Sequence, residues 1–185
     1  MTDTAAADGA VVFLGLGTNL GDRAANLRAA LTGLAARLTV DACSDVYETA
    51  PFGVIDQPRF YNMAVRARTA LEPAELLQAV KQLERQLGRS RTIRMGPRVI
   101  DIDVLLYDGI IVDEAELSIP HPGIAGRPFV LRPLLDIDPE LRHPVSRERI
   151  AEQLARLRPA ADALVRLGSP ADTLGFQLPA TGDAT

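Results

Sequence analysis

The sequence predicts an α+β fold: a ferredoxin-like βαββαβ core in which an antiparallel sheet carries packed helices and keeps an open face for an active site. Two observations predict it. Apolar residues recur with a period of two in short runs and with a helical period in two longer ones, and the runs alternate as strand, helix, strand, strand, helix, strand. Glycines and prolines fall between the runs rather than within them.

Residues 11–16 read as a buried strand, closed by a tight strand-to-helix turn that holds Gly15, Gly17 and Gly21. From Asp22 a helix follows, with Leu27, Leu31, Leu34 and Leu38 along one face. Residues 40–48 are extended, and residues 49–59 form a loop holding Pro51, Gly53 and Pro58. Residues 60–68 alternate as a strand with Phe60, Asn62 and Ala64 on one side. Glu72-Pro73 opens a second helix with the stripe Leu76, Val80, Leu83 and Leu87, and Gly88 ends it. After an aperiodic loop, residues 99–107 are the strongest strand, and Asp108-Gly109 predicts a hairpin turn into residues 110–112. Residues 147–157 read as a last helix, and residues 168–185 as a poorly ordered tail. A chain of 185 residues is then one domain at residues 10–167, after a flexible N-terminus at 1–9.

Composition narrows the function. A net charge of −4, 4% aromatics and no tryptophan argue against a nucleic-acid surface. The first apolar run is far too short to cross a membrane, and residues 1–9 lack the basic region of a signal peptide, so a cytoplasmic protein is expected. Cys43 is the only cysteine, which rules out an internal disulfide and suits a reducing compartment. Lys81 is the only lysine, so position and clustering carry more meaning than the choice of arginine.

The sharpest local pattern runs from Gly96 through Pro97, Arg98 and Ile100 to Asp101-Ile102-Asp103. Residues two apart on a strand share a face, so the two aspartates project together, roughly 7 Å apart. Neighbouring carboxylates resist burial, and a hard divalent cation shared with phosphate oxygens resolves the conflict; a solvated polar face would also explain them. Lys81, Arg85, Arg89, Arg91, Arg94 and Arg98 cluster just upstream. Cations beside paired carboxylates suit a magnesium polyphosphate. A favourable helix end accounts for Arg85 and Arg89 alone. Glu84 sits at the edge of the buried stripe, as a salt-bridge partner or a ligand contact. His121 lies in a proline-rich loop with Arg127 and Phe129 close behind. The glycines near Thr18 match neither a Walker A loop nor a dinucleotide fingerprint.

In order along residues 11–139, these segments resemble the 6-hydroxymethyl-7,8-dihydropterin pyrophosphokinases of folate biosynthesis. The resemblance rests on Gly15-X-Gly17-Thr18-Asn19-Leu20-Gly21, Tyr47-Glu48-Thr49, Gln57-Pro58-X-Phe60-X-Asn62, Glu84, Gly88-Arg89-X-Arg91, Gly96-Pro97-Arg98-X-Ile100-Asp101-Ile102-Asp103, Pro120-His121 and Arg127-X-Phe129-Val130-Leu131. It implies transfer of the pyrophosphoryl group of ATP to the pterin hydroxymethyl oxygen, with AMP as the other product. Asp101 and Asp103 would hold two magnesium ions, and Arg89 and Arg98 would neutralise charge on the transferred and departing groups. Arg91, His121 and Arg127 would hold phosphates, Lys81 and Glu84 would line the nucleotide side, and Val104, Leu117 and Ser118 match strand segments whose backbone reads adenine. Phe60 and Phe129 would sandwich the pterin, Asn62 would read its edge, and Thr49, Ala50 and Phe52 would complete the pocket. Without the resemblance, both rings read as core packing.

Met95 stands where relatives often carry tryptophan, and the loop before it is one residue shorter than in some of them. The resemblance implies ATP and the pterin as partners, a monomer, and contact with other folate-pathway enzymes. The competing readings are a non-catalytic ferredoxin-like module that binds a small molecule, and a nucleic-acid binder or metal nuclease on the same fold.

Overall fold

In the computed structural model, residues 9–53, 56–90, 95–158 and 163–178 are described. The core strands are β1 (Ala10–Thr18), β2 (Thr39–Cys43), β3 (Val46–Thr49), β4 (Phe60–Thr69) and β5 (Asp101–Tyr107), with α1 (Arg23–Ala35) and α2 (Pro73–Gln86) between them. Beyond them lie the short strands β6 (Val112–Asp113) and β7 (Ser118–Ile119), then α3 (Pro128–Ile137), α4 (Ile150–Leu157), β8 (Leu164–Gly168) and α5 (Pro170–Leu174). The main sheet runs β5-β1-β4-β3-β8, with β2 also on β4. Its pairings are antiparallel, and β5-β1-β4 followed by β2 and β3 is the expected ferredoxin-like core.

The first face buries against α1 and α2. Asp22 caps α1 by accepting from the Ala25 amide (2.9 Å), and Leu27, Ala30, Leu31 and Leu34 turn inward. On α2, Glu75 reaches back to the Glu72 amide (3.0 Å) and Pro73 starts the helix, while Leu76, Val80 and Leu83 are buried. These stripes meet Val12, Leu14 and Leu16 of β1, Met63 and Val65 of β4, and Ile102 and Val104 of β5 in one core. Each such aliphatic side chain contributes about 1.5–3 kcal/mol of apolar burial. The helices cross where Gly33 leaves no side chain: a Cβ there would sit 2.4 Å from Leu83.

Four expectations are corrected. The extended run at 40–48 is two strands, because Ser44 interrupts the ladder; its hydroxyl accepts from the Ala64 amide at 2.8 Å while its own amide reaches the Ala64 carbonyl at 2.9 Å. Asp108-Gly109 makes its turn with both residues at positive φ, but no hairpin follows, since β6 pairs with β7. The β5 edge is met at Leu105 instead, whose carbonyl accepts from the His121 amide (2.9 Å). The second sheet face is only partly open: Leu131 and Leu134 of α3 and Ile150 of α4 bury against Phe13, Ala64, Leu105 and Leu106. Finally, residues 168–176 of the expected tail are folded. Ser169 caps α5, Gly175 ends it in the left-handed region, and Leu174 is buried. Residues 1–8 and 179–185 of the two expected flexible ends lie outside the described residues. Among the described residues no helix is long and apolar enough to cross a membrane.

Candidate active site

The uncovered part of the second face is a cavity of about 750 Å³. Cross-strand register builds its floor in two rows: Asn62 of β4, Gly17 of β1 and Asp101 of β5, then Ala64, Gly15 and Asp103. With strands spaced about 4.8 Å, the Asn62 and Asp101 positions stand roughly 10 Å apart across a bare glycine. Gly15 and Gly17 are therefore strand residues, not the turn expected of them. A Cβ on Gly17 would lie 2.9 Å from the Asn62 Oδ1, and one on Gly15 would lie 3.2 Å from Leu105. The strand continues to Thr18 because neither glycine needs a positive φ, whereas Gly21 does (64°) and makes the turn.

On β5, Ile102 and Val104 enter the helix-side core, so Asp101 and Asp103 share the cavity face as expected. Arg98 and Arg89 both reach the Asp101 carboxylate, Arg89 at 2.5 Å. Burial alone would raise the Asp101 carboxyl, but Arg98, Arg89 and Lys81 outweigh it and hold it below its ordinary value. Asp103 is pushed the other way, by burial and then by the Asp101 charge, with His121 and Lys81 opposing. Among the described residues the Asp103 carboxylate has no hydrogen-bond or ion-pair partner. Nor do the described residues gather three potential metal-ligating side chains. Two neighbouring carboxylates, one with its oxygens uncommitted, fit magnesium, which keeps waters and phosphate oxygens in most of its coordination sphere.

Glu84 is buried on α2 and serves the structure first. Its carboxylate accepts from the Ile102 amide (2.7 Å), Lys81 (3.2 Å) and Arg89. Burial raises its pKa, against Lys81, the Ile102 amide and Arg89. Glu84 thus ties α2 to the β5 edge and aims Arg89 at Asp101. His121 and Arg127 close the opposite rim: the His121 Nδ1 accepts from the Gly123 amide (3.0 Å), and Gly123 leaves room for the Arg127 guanidinium. Arg91 and Arg94 lie outside the described residues.

The other half of the cavity is apolar and flat-sided. Phe60, at the start of β4, and Phe129, at the start of α3, both line it. The Phe129 ring meets Phe52 at 6.1 Å, tilted by 57°, and Arg127 lies 5.4 Å from the Phe52 ring. Asn62 donates to the Thr49 hydroxyl (2.7 Å), which sets the direction of its carboxamide. Ala50 completes the wall. Val104, Leu117 and Ser118 do not line the cavity. Val104 and Leu117 bury their side chains in the helix-side core, and Ser118 pairs with Asp113. The sequence assigned no site role to Ser90 and Val130, which line the cavity, or to Asn19 and Gln57 behind it, and marked Arg85, also on the lining, only as one of the cationic cluster. Met95 also lines it, its carbonyl held by Gln57 (3.0 Å).

A carboxylate pair among guanidinium groups suits a metal-bound polyphosphate, and the adjoining aromatic recess suits a flat ring; fold and site together define a ferredoxin-like transferase of the kinase class. The family model described as 7,8-dihydro-6-hydroxymethylpterin-pyrophosphokinase matches residues 13–139. The chain belongs to that family. It is 46% identical over 150 residues to the 2-amino-4-hydroxy-6-hydroxymethyldihydropteridine pyrophosphokinase of Methylorubrum extorquens, covering 80% of this chain and 94% of that one. The enzyme of the same name from Aquifex aeolicus is 40% identical over 143 residues, 77% of this chain and 89% of its own. The folic acid synthesis protein FOL1 of Dictyostelium discoideum is 42% identical over 134 residues, 72% of this chain but only 20% of that longer one. A crystal structure of Plasmodium falciparum HPPK-DHPS shares the fold, with a TM-score of 0.65 at 19% identity over 82% of this chain and 45% of that one.

Proposed function

We propose that this cavity carries out its family's reaction, transfer of the pyrophosphoryl group of ATP to the hydroxymethyl oxygen of 6-hydroxymethyl-7,8-dihydropterin, giving the pterin diphosphate and AMP for folate synthesis. The observation that supports it best is the two-row floor, which sets a carboxylate-and-arginine half beside an aromatic half with only glycine between. A non-catalytic binding module has no need of that pairing.

Asp101 and Asp103 would hold two magnesium ions against the ATP phosphates. Bound there, magnesium supplies charge neutralisation and lowers the pKa of a coordinated hydroxyl. Arg98 and Arg89, which converge on Asp101, would neutralise charge on the transferred group and the leaving AMP. Lys81, Arg91, His121 and Arg127 would bind phosphates, with Glu84 fixing Arg89 and Lys81. Val104, Leu117 and Ser118 would contribute main-chain groups to adenine.

The pterin would lie between Phe60 and Phe129, its edge read by Asn62, with Thr49, Ala50 and Phe52 around it. Phe60→Leu or Phe129→Leu is expected to weaken pterin binding by about 1 kcal/mol or more through lost stacking. ATP affinity should hold in the same calorimetric titrations; equal losses for both ligands with a large fall in Tm would mean that the rings serve the core instead.

The chain would act in the cytoplasm as a monomer, and its lone cysteine suits a reducing compartment. The longer folic acid synthesis relatives support contact with another enzyme of that pathway. The reaction is tested by incubating the chain with ATP, magnesium and the pterin. AMP should accumulate in step with pterin consumption, and removing magnesium with a chelator should stop it. ADP as the nucleotide product would overturn the proposal.

A further inference from the structure

Asn19 sits just past β1, almost fully buried, and does not line the cavity. Its side chain nevertheless touches two segments that do. The Asn19 Oδ1 accepts from the Arg98 amide (2.8 Å), and the Asn19 amide donates to the Arg98 carbonyl (3.1 Å). The Asn19 Nδ2 donates to the Gln57 Oε1 and to the Pro58 carbonyl, both at 3.0 Å, two residues before Phe60. Gln57 in turn donates from Nε2 to the Met95 carbonyl at 3.0 Å. Met95 takes a left-handed φ of 60°, and its sulfur packs where a Cβ on Gly53 would be only 2.7 Å away. Asn19 therefore clamps the Arg98 main chain from both sides, its carboxamide oxygen on the amide and its own main-chain N–H on the carbonyl, and the same carboxamide fastens it to the segment ahead of Phe60.

Arg89 is held differently, through Glu84 and α2. The two arginines that meet at Asp101 are thus aimed by separate supports. We infer that Asn19, seconded by Gln57, is a positioning residue for the reaction: it fixes the Arg98 backbone so that the guanidinium meets the reacting phosphates, and it touches no substrate itself. The inference rests on the pyrophosphokinase reading of the cavity. A carboxamide is required because one group must accept from one segment and donate to another; alanine does neither and aspartate only accepts.

The test is a pair of double-mutant cycles on turnover. Asn19→Ala is expected to lower kcat about tenfold or more, as small misplacements of a reacting group do, while KM for ATP and for the pterin stays within about threefold. In an Arg98→Ala background the same change should cost less than about threefold, because its target is gone. In an Arg89→Ala background it should keep its full effect. Gln57→Ala should follow the same pattern more weakly, and it serves as the reporter if Asn19→Ala does not fold. A loss that is equally large with and without Arg98, or a wild-type kcat in both Asn19→Ala and Gln57→Ala, would overturn the inference. Formation of ADP by the wild type would sink the pyrophosphokinase reading separately, and the cycles, read on whichever nucleotide forms, would still decide the role of Asn19.

Discussion

Asp103→Ala should lower turnover at least about a hundredfold, the scale of a lost transition-state electrostatic contact, while Tm holds or rises. The stability half follows from its surroundings. Burial and the Asp101 charge disfavour ionised Asp103 by more than His121, Lys81 and Arg89 favour it, so its removal relieves repulsion. Asp101→Ala should be as damaging to turnover, yet it should lower Tm, because the carboxylate on which Arg98 and Arg89 converge is gone and two partly buried guanidinium groups repel. The contrast separates a ligand role from a packing role. Near-normal turnover of either variant at low magnesium would contradict the assignment, and so would equal stabilisation by both changes. Kinetics over a magnesium series, with thermal melts of each variant, make the check.

Arg98→Ala should cost about a hundredfold or more in kcat, with a smaller change in KM for ATP. Its guanidinium lies on Asp101, and its Nε donates to the Gly96 carbonyl (3.2 Å), so the fork is oriented before substrate arrives. Asp101 keeps Arg89 in the variant, and the fold should survive. Arg98→Lys should recover only a minor part of the loss, since an ammonium restores the charge without the planar pair of donors. Full recovery by lysine would reduce Arg98 to a point charge. A variant that loses KM and keeps kcat would move it from transition-state to ground-state binding.

What the sequence disclosed followed the range of each signal. The shared face of Asp101 and Asp103 is a consequence of strand alternation within three residues, and the α2 stripe repeats over four turns, so both were legible. The glycines at 15 and 17 were misread as a turn, because glycine most often signals one; only their pairing with Asp101, Asp103, Asn62 and Ala64 reveals a floor. Pro128 and Pro133 masked α3, the first sitting harmlessly in the first turn and the second inside the helix. The α5 signal was present in Ser169-Pro170 and Gly175, but short caps count for little until Leu174 finds a buried place. The Asn19 clamp was out of reach. It joins residues 38 and 79 positions apart, and nothing local marks an asparagine as bridging them.

In the proposed reaction both terminal phosphates of ATP move together onto the pterin, over a floor that would set the two substrates side by side. Phosphorus NMR of the completed reaction tests it most directly. A single phosphorus signal for AMP and two mutually coupled signals on the pterin product, with no ADP, are expected. A lone phosphorus signal on the pterin, accompanied by the two coupled signals of ADP, would contradict it.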